Sequence, residues 1–327
     1  MASRKVEEAL DHVKAAEKSL KTTFLKWRPD NEAAADEYQK AATCFRNAKS
    51  FQQCKECLLK AAECHKQNRS LFYAAKCLDQ AILVCKDLGD LSDVSVLAER
   101  ACNMYQQHGS PDSGAAALDK AAKLLETQHP ERALRLYKRA ADVVNIEDSP
   151  RQAAEFMSKV ARILVKLRMF DEAADALRRE IGFHQQSEQV QAIGRLTVCL
   201  VLVQLGRGDY VAAEKDFKEW GNYCDAPEIQ TLESLLIAYD EEDFDAVRVA
   251  LNSPFIKHMD VEYARLARDL RLQESETSVN RAPEMKAKIA STDNADMEAA
   301  GEHPKDSNTG SSTVEKIPED EYEGGLC

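Results

Sequence analysis

The sequence predicts an all-α protein, a right-handed superhelical array of tetratricopeptide-like helical hairpins that ends in a C-terminal helical bundle. Three observations support this: a short module recurs every 20 residues, turn-forming residues recur at the same step, and Gly and Pro are rare (12 and 9 of 327 residues). The module begins as Lys40-Ala-Ala-Thr-Cys-Phe45 and returns as Lys60-Ala-Ala-Glu-Cys-His65 and, after one 19-residue step, as Arg139-Ala-Ala-Asp-Val-Val144. One helix with its turn therefore takes about 20 residues.

Within each repeat the apolar residues follow the period of a helix. Ala34, Tyr38, Ala41, Ala42 and Phe45 have the spacing i, i+4, i+7, i+8 and i+11, which places them on one stripe. Small alanines let neighbouring helices approach closely, and the large residue fills the groove between them. Turn-forming residues occupy the gaps between these stripes: Gly89-Asp90, Gly109-Ser110-Pro111, His129-Pro130 and Ser149-Pro150.

The regularity of the pattern divides the chain into three regions. Residues 1–210 form the hairpin array, and residues 211–272, with less regular helical segments at 228–239, 243–251 and 259–272, form a capping bundle. Past residue 272 the periodicity stops, and residues 271–327 carry 6 basic and 13 acidic side chains. Residues 273–327 are therefore predicted to be a disordered acidic tail.

Composition and missing motifs exclude several functions. With 44 basic and 56 acidic residues (net charge −12), the chain is not a nonspecific nucleic-acid binder. It has no phosphate-binding loop, dinucleotide-binding motif, nucleophile elbow or His-Glu-x-x-His helix, so we expect no cofactor and no catalytic residue. The N-terminus lacks the apolar core of a signal peptide, and a cytoplasmic location is expected.

The ten cysteines fit a reducing compartment, where buried Cys acts as a small apolar residue. A zinc site made of Cys54, Cys57, Cys64 and His65 is the alternative. It is disfavoured because no turn gathers these residues and His65 lies off the face that the three cysteines share. We therefore predict no metal site.

A basic run on the middle helices is the first candidate binding feature. Arg132, Arg135 and Arg139 share one helical face, and Lys159, Arg162 and Lys166 repeat that spacing on a later helix. Stacked helices would align these residues into a positive strip for an elongated acidic partner. The alternative is an ordinary solvated face with i,i+4 ion pairs.

Two further features could bind partners. Phe24-Leu25-Lys26-Trp27-Arg28-Pro29 mixes large apolar and basic residues in a loop, a pattern typical of contact with an anionic membrane surface. Its alternative is packing of Phe24 and Trp27 onto the first hairpin. The acidic stretches Asp240–Asp243 and Glu319–Cys327 either only solubilise the chain or, with Leu326, dock onto a partner.

With these residues the chain resembles the soluble NSF attachment proteins (SNAPs), most closely their gamma form. The resemblance covers roughly residues 5–272 and the chain end, and its most specific parts are Lys21-Thr-Thr-Phe-Leu-Lys-Trp-Arg-Pro-Asp30, Asp209-Tyr-Val-Ala-Ala-Glu214 and Gly-Gly-Leu-Cys327. It implies a peripheral membrane adaptor, not an enzyme. Such an adaptor binds SNARE complexes and recruits the N-terminal domains of the NSF hexamer, so that the complexes are disassembled in vesicle transport, including ER–Golgi transport, and in membrane fusion.

The resemblance also implies roles for single residues. The SNARE-binding residues are Lys120, Arg132, Arg135, Lys138, Arg139, Lys159, Arg162 and Lys166. The membrane-contact residues are Phe24, Leu25 and Trp27, and the NSF-binding residues are Glu241, Glu242, Asp243, Asp320, Glu321 and Leu326. Gly324-Gly325 before Leu326 departs from the alpha form, in which acidic residues stand directly before this Leu. The alternative function is a generic helical-repeat scaffold in another intracellular assembly.

Overall fold

The computed structural model describes residues 2–22 and 27–270, which lie in one compact unit, Met1–Glu276. In these residues the secondary structure is helical and contains no strand, which confirms the predicted all-α class. The first ten helices form successive antiparallel hairpins: α1 Ala2–Leu20, α2 Asn31–Asn47, α3 Phe51–Gln67, α4 Leu71–Leu88, α5 Val94–His108, α6 Pro111–Leu125, α7 Pro130–Ile146, α8 Pro150–Lys166, α9 Phe170–Gln186 and α10 Val190–Arg207.

Shorter helices follow the array. They are α11 Tyr210–Trp220, a 3₁₀ turn Gly221–Tyr223, α12 Ala226–Asp240, α13 Phe244–Leu251, α14 Pro254–Lys257 and α15, residues 261–270. The sequence pattern indicated α12, α13 and α15 but not the four-residue α14, which is too short for a period to show. The division into an array (1–210) and a bundle (211–272) stays a prediction, and the predicted tail (273–327) lies outside the described residues.

The 20-residue step has a structural cause at the helix ends. A residue with left-handed backbone, φ between 54° and 83°, terminates most of the helices: Lys49, Arg69, Gly89, Gly109, Asp148, Arg168, Glu188, Gly208 and Glu242. The next amide then donates to a carbonyl of the last helical turn, as Ser50 N does to Phe45 O at 2.9 Å. The α6–α7 turn instead has His129 at φ −136°, and it coincides with the single 19-residue step.

Alanine pairs lie at the helix–helix contacts. At most 2% of the surface of these alanines is exposed, as for Ala34 and Ala35 in α2 and for Ala74 and Ala75 in α4. Between them, larger side chains such as Tyr38 fill the grooves. Because small residues recur at equivalent positions in most of these helices, successive hairpins can pack on one another in a similar way.

Helix α10 is mostly apolar because other helices cover most of its surface. Its mean hydropathy of 1.3 over 18 residues is sufficient for a membrane span by length and composition, yet 61% of that window is buried inside the protein. Its buried polar side chains bond locally, with Thr197 Oγ1 donating to Ile193 O (2.9 Å) and Gln204 Nε2 to Asp216 Oδ2 (2.7 Å). Helix α10 therefore serves as a core helix between the array and the shorter helices.

Two features mark the contact of α10 with the later helices. A Cβ atom on Gly194 would lie 2.5 Å from Tyr223 O and 2.9 Å from Cys224 Cα, so only glycine allows this approach. On another side of α10, a cavity of about 230 Å³ is lined by Ser158, Glu180 and Tyr263, among others. Glu180 is 4% exposed, and its Oε2 has no hydrogen-bond partner.

Burial raises the pKa of Glu180 to about 8, and Ser158 and the Arg162 guanidinium oppose this only in part. Asp260 acts in the same direction as burial, and His184 lies 3.9 Å from the carboxyl group. The carboxyl group is therefore neutral in the folded protein at pH 7.

The backbone at Gly109 gives a first prediction. Replacing Gly109 (φ 83°) with Ala lowers the free energy of unfolding by about 1 kcal/mol, because the left-handed conformation disfavours a Cβ atom. The same substitution at Gly182, inside α9, raises it by up to about 1 kcal/mol through helix propensity. Neither new Cβ meets an atom within 4 Å, so urea unfolding of the two variants isolates the backbone effect. If both substitutions changed the free energy of unfolding in the same direction, the left-handed backbone would not be the cause of the effect at Gly109.

Glu180 gives a second prediction. Its folded pKa of about 8 lies above the reference value of 4.5, so the folded state holds the proton more tightly and stability falls as pH rises between these values. Glu180→Gln removes this dependence and raises the melting temperature at pH 8, as measured by thermal unfolding from pH 5 to 8. Glu155→Gln, on the exposed side of α8, is the control and should follow the wild-type profile. An unchanged profile in Glu180→Gln would exclude Glu180 as the cause.

Candidate functional site

Alternate helices form two layers, and polar contacts follow this arrangement. Lys159 Nζ (α8) lies 2.6 Å from Asp119 Oδ1 (α6), and Arg139 (α7) donates to Asn103 Oδ1 (α5) at 2.6 Å. Lys138 (α7) pairs with Glu172 (α9) at 2.7 Å. Each contact joins a helix to the helix two positions away, so even-numbered helices face one side and odd-numbered helices the other.

The residues of the predicted basic strip are therefore divided between the two layers, and their role in binding stays a prediction. The division arises because consecutive helices of a hairpin belong to different layers. Lys120, Lys159, Arg162 and Lys166 lie on the even helices α6 and α8, whereas Arg132, Arg135, Lys138 and Arg139 lie on the odd helix α7.

Most of the predicted basic residues on α7 form hydrogen bonds or ion pairs with other residues of this chain. Arg132 donates to Ser95 Oγ at 2.7 Å and to the carbonyls of Leu91 and Ser92, which fastens α7 to the start of α5. Lys138 and Arg139 have the partners given above. Arg135 is exposed. The α7 face is thus occupied largely by contacts that hold the array together.

The face formed by α8 has a larger excess of positive charge than the face formed by α7. Helix α8 contains four basic residues and one acidic residue, and its same-layer neighbour α10 adds Arg195 and Arg207 without any acidic residue. Lys166 is exposed, and the Nε of Arg162 is buried without a hydrogen-bond partner. Lys159 lies over the rings of Phe156 (4.9 Å) and Tyr137 (5.4 Å), which fixes its position beside Asp119.

Lys120 is placed on the same face but is paired with an acid. Its Nζ lies 3.4 Å from Asp79 Oδ2. Sequence reasoning did not include Arg151 and Arg195 among the basic residues of this face. Counting charges separately for alternate helices would have found them, since α8 and α10 then stand out from the balanced helices α4 and α6.

The loop between α1 and α2 is described in part. Phe24 and Leu25 lie outside the described residues. Trp27 is 84% exposed, so the alternative in which its ring packs onto the first hairpin is not observed. After the loop, Asp30 caps α2 by accepting from Ala33 N at 3.0 Å, and its own amide donates to Ser19 O at 3.1 Å. The two helix ends are thereby held together at the base of the loop.

The acidic turn between α12 and α13 is exposed, and part of it has a structural role. Asp243 Oδ1 accepts from the amides of Asp245 (3.1 Å) and Ala246 (3.0 Å) and so caps α13. Glu241 and Glu242 are exposed in the same turn. Asp320, Glu321 and Leu326 lie outside the described residues.

The cysteines considered for zinc do not form a site. Cys54, Cys57 and Cys64 are buried, and burial raises their thiol pKa values, to about 11 for Cys54 and Cys57. The side chain of His65 bonds to Gln39 at 2.7 Å. These cysteines behave as small apolar residues of the core.

Together, the two-layer stack and its exposed charged faces define a class of protein: a helical-hairpin repeat protein that presents extended surfaces to partners. The family model of "Soluble NSF attachment protein, SNAP" matches residues 7–252, and the chain belongs to this family. The resemblance predicted from the sequence is thereby confirmed.

Known relatives match most of the chain. A gamma-soluble NSF attachment protein from Dictyostelium discoideum is 25% identical over 86% of this chain and 87% of its own length. A second, from Arabidopsis thaliana, is 24% identical over 78% and 89%, and an alpha-soluble NSF attachment protein from Mus musculus is 23% identical over 67% and 76%. A solved structure, BtubC from P. vanneervenii, aligns with a TM-score of 0.36 over 68% of this chain and 90% of its own, at 14% identity.

Proposed function

We propose that this protein is an adaptor, not an enzyme, that binds SNARE complexes and recruits the NSF ATPase to disassemble them in vesicle transport and membrane fusion. Membership of the attachment-protein family supports the adaptor role. The proposal of SNARE binding is supported by the positive face of α8. Its four basic residues and one acidic residue suit an elongated acidic helical bundle.

Of the two faces, we assign SNARE binding to the even-layer face, which carries Lys120, Lys159, Arg162 and Lys166. The α7 residues Arg132, Lys138 and Arg139 are held by contacts to α5 and α9, and these contacts would have to break before the side chains could reach a partner. On α8, Lys166 is exposed and Arg162 is half-buried. We expect positive charge here to steer the encounter and set its salt dependence.

Two other contacts complete the proposal. Glu241, Glu242 and Asp243, together with Asp320, Glu321 and Leu326, meet basic N-terminal domains of NSF. Trp27, with Phe24 and Leu25, enters the surface of an anionic membrane, so that a cytoplasmic protein becomes peripherally attached. The high exposure of Trp27 supports this role, because a large aromatic side chain exposed in a loop beside basic residues suits contact with an anionic membrane surface.

The decisive experiment measures two quantities on a preassembled SNARE complex: binding of this protein and the ATPase rate of added NSF. Four samples are compared: no adaptor, the full chain, Lys159→Gln/Lys166→Gln on α8, and Arg135→Gln/Arg139→Gln on α7. Both variants lose two positive charges, so they are matched. The full chain should bind and stimulate the ATPase. The α8 variant should bind about tenfold more weakly with a smaller salt dependence, whereas the α7 variant should stay within about threefold.

The outcomes separate the parts of the proposal. If the full chain neither binds the complex nor stimulates the ATPase, the adaptor function fails and a scaffold role in another assembly replaces it. If the α7 variant alone loses binding, the adaptor function stands but the face is wrong. A chain ending at residue 317 tests the NSF contact: normal SNARE binding with lost stimulation would place that contact at Asp320, Glu321 and Leu326.

The membrane contact is tested by fluorescence, because the chain has only two tryptophans, Trp27 and Trp220. In Trp220→Phe, emission reports Trp27 alone. Anionic vesicles should shift this emission to the blue and reduce its quenching by iodide, since the ring leaves water. Neutral vesicles should have a smaller effect because Lys26 and Arg28 lose their attraction. In the control Trp27→Phe, emission from the half-buried Trp220 should not change. Unaltered quenching of Trp27 on anionic vesicles would exclude its insertion.

A further inference from the structure

Three potential metal ligands meet across the first helical hairpin, apart from the surfaces discussed above. Glu8 and His12 lie one turn apart on α1, and Cys44 faces them from α2. A carboxylate oxygen, an imidazole nitrogen and the Cys44 Sγ all lie within 4.8 Å of one another. Small rotations of these side chains would bring the three atoms to the spacing of ligands around one ion.

A fourth side chain orients the imidazole. Glu37 Oε2, on α2, lies 2.7 Å from His12 Nδ1, and Glu37 Oε1 is held by Lys40 Nζ at 2.6 Å. When His12 Nδ1–H donates to this carboxylate, Nε2 carries the lone pair and is available as a ligand. A carboxylate behind the imidazole is the usual support of a metal-bound histidine.

The surroundings allow an ion to enter. Glu8 is exposed and His12 and Cys44 are half-buried, so a solvent molecule can complete the coordination. An ion that binds the Cys44 sulfur displaces the thiol proton into solvent.

We propose that Glu8, His12 and Cys44 bind a zinc ion, with Glu37 as a positioning residue. One sulfur, one nitrogen and one oxygen ligand suit Zn²⁺, whereas Mg²⁺ and Ca²⁺ prefer oxygen ligands alone. The ion joins α1 to α2 in the hairpin that carries Trp27 at its tip. Its binding thereby stabilises the base on which that loop stands.

The test uses Co²⁺ as a spectroscopic probe on the full chain, kept metal-free and reduced beforehand. Co²⁺ should bind one per chain with a thiolate-to-cobalt charge-transfer band and the intense visible bands of a tetrahedral site, and Zn²⁺ should displace it. Cys44→Ser should abolish the charge-transfer band, and Glu8→Gln or His12→Gln should weaken Co²⁺ binding at least tenfold. Glu37→Gln, which keeps all three ligands, should weaken it about tenfold.

Cys224→Ser is the matched control, because Cys224 is also half-buried but lies near Gly194 O, far along the chain from the proposed site. Its spectrum should equal that of the wild type. Zn²⁺ should also raise the melting temperature of the wild type and of Cys224→Ser, but not of Cys44→Ser. The proposal is overturned if the wild type shows no thiolate-to-cobalt band, or if that band persists in Cys44→Ser. Either result leaves the adaptor function untouched, since that function does not depend on zinc.

Discussion

Close approach of helices through alanine is the constraint on which the rest of this structure depends. Buried alanine pairs recur in most helices of the array, and most of these helices have nearly the same length before the backbone turns left-handed. Constant length and constant contact size keep all hairpins in one register. As a result, residues 36 to 41 positions apart, such as Arg139 and Asn103 or Lys120 and Asp79, meet across one layer.

This register also decides which charges remain available to a partner. Lys159 pairs with Asp119 and Lys138 with Glu172, so contacts between same-layer helices use many of the basic residues that the sequence offers. The exposed pair of Lys138 and Glu172 adds little stability, but such pairs neutralise the surface locally. The excess that remains lies on α8, where basic residues outnumber the acidic ones four to one. Charge placement, more than total charge, thus distinguishes one face of an acidic protein.

The end of the array shows how a repeat structure is closed. Helix α10 is largely buried, and at Gly194 the backbone of the following segment approaches so closely that a Cβ atom is excluded. Nearby, Glu180 is enclosed without a partner for one oxygen, and burial raises its pKa to about 8. The same contact surface therefore combines dense packing with a group that resists ionisation, a cost that regular repeats do not carry.

The sequence by itself determined the helical class and the 20-residue step, because apolar spacing and turn residues are local properties of the chain. The family was indicated separately, by the resemblance of segments such as Lys21–Asp30 and Asp209–Glu214. The sequence also determined that Trp27 lies in a loop, since Pro29 disfavours helix before it. It could not show which helices share a layer, and so it joined Arg135 on α7 and Lys159 on α8 into one strip. Only tertiary packing decided their faces and brought Glu8, His12 and Cys44 together, because contacts across helices depend on the rotation of each helix about its axis, which no short spacing records.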